Sequence, residues 1–130
     1  MSNLEVAVDR TRALGHPARL RALAMLRTGE LCVCQITEVL GLAQSTVSTH
    51  LRELKRAQLI TEHKEGRWVY FGLSTDPDAR RWIDVALTSL EGDPQLDADD
   101  FLVAELRCLP VADLCRLGYD AAKSKAQKSS

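Results

Sequence analysis

The sequence predicts a mainly α chain carrying a β-hairpin wing, a winged helix-turn-helix that works as a homodimer. Three observations predict it. Gly41-Leu42-Ala43 separates two helical stretches, and Val47, Leu51 and Leu54 in the second keep the i, i+4, i+7 spacing of a face turned to a core. Two runs rich in Ile, Thr, Trp, Val, Tyr and Phe follow, Leu59 to His63 and Arg67 to Leu73, joined by Lys64-Glu65-Gly66 as a hairpin. A helix opening at Asp76-Pro77 and running to about Leu90 then sets Ala79, Ile83, Ala86, Leu87 and Leu90 on one stripe, with Trp82 beside it. So apolar a face needs a partner: the first helix together with the same pair from a second subunit.

Composition limits the alternatives. At 130 residues, 45% apolar and 27% charged, the chain reads as one soluble domain that needs no disulfides to fold. No run of apolar residues is long enough for a membrane span, and the start of the chain lacks the regions of a signal peptide. A cytoplasmic protein is expected, whose four cysteines stay reduced and serve as ligands or redox sensors. The net charge is −1, yet residues 1–75 carry +3 and residues 76–130 carry −4, so positive charge sits with the helix-turn-helix. Double-stranded DNA, bound through specific contacts, is the expected partner. Nothing supports an enzyme: there is no C-x-x-C in a strand-helix context, no Ser/His/Asp set and no phosphate loop.

In chain order, Leu4 to Leu14 forms a first helix that Gly15-His16-Pro17 breaks, and Pro17 to Arg27 a second. His16 reads as a turn histidine that caps or packs at the junction. Glu30-Leu31-Cys32-Val33-Cys34-Gln35 then begins a short helix through Leu40, which Gly41 ends. The next helix starts at Gln44 with Ala43 where a Ser or Asp cap would be usual. Opposite its buried stripe lie Ser45, Thr49, Arg52 and Arg56, with Gln44, Thr46 and Ser48 near its N-terminal end. These are the DNA-facing candidates, the short polar residues for base edges or phosphates and the arginines for the backbone. His50 joins the set, although it lies closer to the buried side and packing is an equal reading. Lys64 and Arg67 mark the wing, which would follow a phosphate backbone or enter a minor groove.

Residues 1–92 thus make the DNA-binding and dimerisation domain, 93–120 a helical extension and 121–130 a disordered basic tail. The extension starts a helix at Asp97-Ala98-Asp99-Asp100, with Leu102, Leu106 and Leu109 in register. Pro110, a short apolar turn through Leu117 and Gly118 follow.

Cys32 and Cys34 are the candidate ligands. Thiolates select soft ions, and zinc would want four donors where only two cysteines are close in sequence. Trivalent arsenic or antimony is satisfied by three thiolates, or by two and an exogenous thiol or hydroxide. Within a regular helix the two sulfurs would point roughly 200° apart, so the first turn must unwind or already be irregular for both to grip one atom.

With these blocks in hand, the chain resembles the ArsR/SmtB family of winged-helix repressors over about residues 4 to 92. The resemblance rests on Leu14-Gly15-His16-Pro17-Ala18-Arg19-Leu20, Glu30-Leu31-Cys32-Val33-Cys34, Ser45-Thr46-Val47-Ser48-Thr49-His50-Leu51 and Gly66-Arg67-Trp68-Val69-Tyr70. It implies a homodimer that represses its own operon when metal-free and leaves DNA on binding a metal or metalloid. The Glu-Leu-Cys-Val-Cys block is similar to that of arsenite-responsive members, in which a third cysteine follows three positions after the second. Here that position is Thr37. The helix from Asp76 to Leu90 has no His for the zinc-type interface site, and the N-terminal segment has no Cys for the cadmium/lead-type site.

The expectation is therefore a repressor that needs no cofactor, with As(III) or Sb(III) as inducer at Cys32 and Cys34. The alternative is a repressor of the same fold that senses oxidants or another thiophilic metal through these thiols. Cys108 and Cys115 are the candidates for a third ligand. The cost of ordering the extension favours an exogenous ligand instead, with Cys108 and Cys115 packing the extension.

Overall fold

The computed structural model describes residues 2–128. Its elements, among the described residues, are α1 (Asn3–Leu14), α2 (Pro17–Leu26), β1 (Leu31–Cys32), α3 (Val33–Leu40), α4 (Gln44–Arg56), β2 (Ile60–Glu65), β3 (Trp68–Leu73), α5 (Pro77–Thr88), α6 (Pro94–Arg107), α7 (Val111–Leu117) and α8 (Tyr119–Lys128). The expected winged helix-turn-helix is present: α3 and α4 pack as the helix pair, and β2 and β3 form the wing.

Local chemistry sets the boundaries. Ser2 accepts a hydrogen bond from the Glu5 amide at 3.1 Å to open α1. His16 does the same for α2, its Nδ1 accepting from the Ala18 amide at 3.1 Å ahead of Pro17, the first of the two roles expected of it. Gly41 closes α3 in the left-handed conformation, φ 68°, which allows the tight turn into α4. Arg10, buried on α1, donates to the Ala57 carbonyl at 3.2 Å and to Asp78 at 2.6 Å, joining the end of α4 to the start of α5.

The sheet has the order β1-β3-β2, all antiparallel. Two features differ from the sequence expectation. The hairpin loop is Gly66-Arg67, since Glu65 pairs with Trp68, and Gly66 at φ 61° makes so short a connection available. Lys64 accordingly lies in the strand beside the tip, opposite Val69. The second difference concerns the thiols: Leu31 and Cys32 form a strand paired with Phe71 and Tyr70, and the helix begins only at Val33. Two residues are too few for a strand period, and the free edge of β3 supplies the pairing that a local pattern cannot reveal.

The extension departs furthest. Asp93 caps α6, which therefore starts at Pro94 and not at Asp97. Val111–Leu117 is a helix where a turn was expected. The segment from 121, expected to be a disordered tail, lies in α8 as far as Lys128; residues 129 and 130 fall outside the described residues. Ala122 of α8 is buried, and Tyr119 at its start donates to Glu105 of α6 at 2.6 Å, so tertiary contacts override a composition poor in apolar residues.

The extension also shares the core of the rest of the chain. Val103, Leu106 and Leu114 are buried in one cluster with Leu23, Ile36 and Leu51. Ion pairs fix α6 over α2. Arg21 reaches both carboxylate oxygens of Asp99 at 2.9 Å, and Asp99, 4% exposed, also accepts from Gln95. Arg27 pairs with Asp100, and Arg107 donates to the Gly29 and Glu30 carbonyls just before β1. Asp99→Asn leaves Arg21 without its counter-charge at a partly buried site. It should cost about 2 to 3 kcal/mol of stability, read as a lower urea midpoint at unchanged slope.

Candidate thiol centre and nucleic-acid interface

Cys32 occupies the junction between sheet and helix. It is fully buried, its backbone is extended at φ −74° and ψ 152°, and its amide donates to Gln35 Oε1 at 2.8 Å across the first turn of α3. Cys34, half-buried, is the second residue of α3. The helical separation of the two thiols expected from the sequence therefore does not arise. Cys32 stands before the helix, and no unwinding is needed to turn both sulfurs to one side.

A third sulfur is already there. α7 packs on α3 and carries Cys115 to Cys34, with which it forms a disulfide across a Cα–Cα distance of 5.4 Å. The Sγ atoms of Cys32, Cys34 and Cys115 lie within 4.8 Å of one another. This corrects the expectation that Cys115 only packs the extension. The ordering cost raised against it is met by the core and ion pairs that hold α6 and α7 in place. Cys108 is exposed, its Sγ facing the Ala104 carbonyl at 3.5 Å, so it neither packs nor belongs to the thiol group. Thr37, one turn beyond Cys34, has its hydroxyl buried with no hydrogen-bond partner among the described residues.

The surroundings of the thiols lead toward the wing. Tyr70, opposite Cys32 in the register, stacks on His63 with ring centroids 5.7 Å apart. Burial, with Cys32 and Glu65 nearby, raises the Tyr70 phenol above its ordinary value. Glu30, just before β1, pairs with His63 of β2 at 2.8 Å, and Gly72 leaves room for it: a Cβ there would meet Glu30 Cγ at 3.1 Å.

On α4, Gln44, Ser45, Thr46, Thr49, Arg52 and Arg56 are exposed and Ser48 is half-buried. Thr49 donates its hydroxyl back to the Ser45 carbonyl at 3.1 Å. Between this helix and the wing lies a groove of about 420 Å³, lined by Gln44, Ser48, Arg52, Lys55 and Glu62 over a floor that includes Val33. Lys64 and Arg67 are exposed at the outer end of the wing. His50 does not share this surface. It is buried, its ring 4.3 Å from that of His16, and its Nδ1 accepts from Arg19 at 3.2 Å, so of its two readings packing is the one the structure has. Elsewhere on the surface, Leu4 and Val8 of α1 and Val85 of α5 stand exposed, Leu4 at 75% and Val85 at 72%. Leu14, Leu20, Trp82 and Val85 line an apolar groove of about 590 Å³ beside them.

A family model described as bacterial regulatory protein, arsR family, matches residues 16–62. The arsenic resistance transcriptional regulator ArsR1 of Pseudomonas putida is 35% identical over 98 residues, which cover 73% of this chain and 75% of that one. This chain belongs to the ArsR family. Among solved structures, this ArsR-family protein is similar to HlyU from Vibrio cholerae, with 33% identity, a TM-score of 0.60 and coverage of 69% of this chain and 96% of that one. It is also similar to the homodimeric winged helix-turn-helix DNA-binding domain of Mb0332 from Mycobacterium bovis, at 27% identity and a TM-score of 0.60, covering 70% of this chain and 89% of that one. The ArsR-family fold is thus that of a DNA-binding transcriptional regulator, with no helix among the described residues long and apolar enough to cross a membrane.

The environment of His50 gives a pH dependence. Burial first, then the neighbouring His16 and Arg19, lower its pKa from the ordinary 6.5. The unfolded chain therefore takes up a proton as pH falls through about 6.5 while the folded chain resists it, so stability is highest above that pH and declines below it until His50 protonates in the folded state. Urea unfolding of the wild type should show this decline between about pH 7.5 and 5.5, and His50→Gln should flatten it.

Proposed function

We propose that this ArsR-family protein is a homodimeric repressor that holds operator DNA when metal-free and is released when As(III) or Sb(III) binds at Cys32 and Cys34. The observation that carries the reading is the convergence of these thiols at the start of α3, the helix that supports α4. The donor set fits the ion: soft sulfurs suit a soft trivalent metalloid, and no histidine or carboxylate joins the group among the described residues. The arsenic resistance regulator of Pseudomonas putida among its relatives points the same way.

The arrangement supplies a route from inducer to DNA. Cys32 is tied to β3 and hence to the wing, whereas Cys34 belongs to α3 and hence to α4. Drawing both sulfurs onto one atom changes the position of α3 relative to β1, and with it the angle between recognition helix and wing. Release requires only that the ion bind this arrangement better than the DNA-bound one. Dimerisation through the apolar α1 and α5 face places two α4 helices in successive major grooves, about 34 Å apart. Such a regulator acts on DNA in the cytoplasm.

A second reading, an oxidant-released repressor, is favoured by the Cys34–Cys115 bond. Titration of an operator complex with arsenite and, separately, with peroxide tells the two apart. Cys32→Ser and Cys34→Ser should each bind operator as the wild type does and fail to leave it with arsenite. Normal release by both variants would place the sensing site elsewhere in the chain. Arg52→Ala should weaken operator binding by about tenfold and lower the slope of log K against log salt by about one unit, as loss of one phosphate contact does.

A further inference from the structure

We propose that Cys115, from the C-terminal extension, is the third ligand of the metalloid, completing a three-sulfur site with Cys32 and Cys34. This rests on the reading of Cys32 and Cys34 as inducer ligands and adds what their spacing alone leaves out. A trivalent metalloid takes three donors, and the junction of β1 and α3 supplies two. At the position where the arsenite-responsive members that this chain resembles carry the third cysteine stands Thr37, a hard hydroxyl donor.

Cys115 takes over that role. Its sulfur is within 4.8 Å of both the others, and the segment that bears it is held by the core through Leu106 and Leu114 and by the Arg21–Asp99 and Arg107–Glu30 contacts. The third donor is thus built in, and the site needs no small thiol from solution. The binding step balances without redox chemistry. Arsenous acid forms three As–S bonds, its three As–OH bonds break, and the three thiol protons leave with them as three waters.

The Cys34–Cys115 bond and the metalloid use the same sulfurs, so only one can be present. Hydrogen peroxide forms that bond by taking two electrons and two protons from the thiols and leaving as two waters. The oxidised protein then keeps a single thiol at the site.

The test uses the full chain, reduced with a phosphine, freed of it and held in thiol-free buffer with arsenite as probe. X-ray absorption should count three sulfurs around arsenic in the wild type and in Cys108→Ser, and two in Cys115→Ser. The arsenite needed for half-release of a fluorescent operator should rise about tenfold or more in Cys115→Ser. Peroxide-treated wild type should take up arsenite at least as poorly. Adding Thr37→Cys to Cys115→Ser should restore both the third sulfur and the release.

Three sulfurs in Cys115→Ser, or release at the wild-type arsenite concentration, overturns the proposal. So does a Thr37→Cys, Cys115→Ser double variant that binds operator but stays unresponsive, because the docked extension and not its sulfur would then be what matters. If Cys32→Ser and Cys34→Ser also respond normally, the reading of Cys32 and Cys34 as inducer ligands fails as a whole. If those two are dead while Cys115→Ser is normal, this inference alone fails.

Discussion

The pairing of Leu31 and Cys32 with Phe71 and Tyr70 is the constraint on which the remainder of the structure depends. It spans two residues, yet it sets where α3 begins, turns Cys32 into the interior and adds a third strand to a hairpin that also packs on α2, α3 and α4. The same strand joins the sheet to the helix-turn-helix, because Cys32 is at once its last residue and the residue that precedes α3. β1 thus adds a second link between wing and helix-turn-helix to the direct packing of α4 on β2 and the Lys55–Glu62 ion pair, and a change there is felt by both.

The C-terminal helices belong to this arrangement and do not merely follow it. Arg107 reaches the carbonyls of Gly29 and Glu30, the backbone leading into β1, while Leu106 and Leu114 fill the same interior as Ile36. Buried aliphatic side chains contribute about 1.5 to 3 kcal/mol each, so two such residues outweigh the solvent-facing ion pairs around them. Apolar burial holds the extension down, and the better-buried Arg21–Asp99 pair sets its position along α2.

Much of this was legible in the sequence. The helix-turn-helix, the wing, the capping role of His16 and the apolar face on α5 all follow from periodicity and turn chemistry, which act within a few residues. Lys64 and Glu65 have weak strand preference and read as loop in isolation, and cross-strand partners that propensity does not see decide their state. β1, two residues long, owes its state to cross-strand partners alone. The burial of Arg10 and Asp99 had no local signal, since each depends on a partner from a distant helix. The length of chain between Cys115 and Cys34 argues against their meeting; what brings Cys115 back is the burial of Val103 and Leu106 of α6 and Leu114 of α7, and the sequence is silent about where those faces dock. The acidic start of α6 reads in isolation as a favourable helix N-terminus, and only the structure shows Asp99 and Asp100 aimed at Arg21 and Arg27.

Cys34 and Cys115 are 81 residues apart in the chain. At ordinary elongation rates of about 5 to 20 residues per second, roughly 4 to 16 s pass between the synthesis of one and of the other. In that interval the helix-turn-helix and the wing have emerged from the ribosome while the residues that bring the last sulfur to them have not. The complete thiol cluster is a property of a chain translated at least as far as α7, and a nascent polypeptide carries the helix-turn-helix before it carries that cluster.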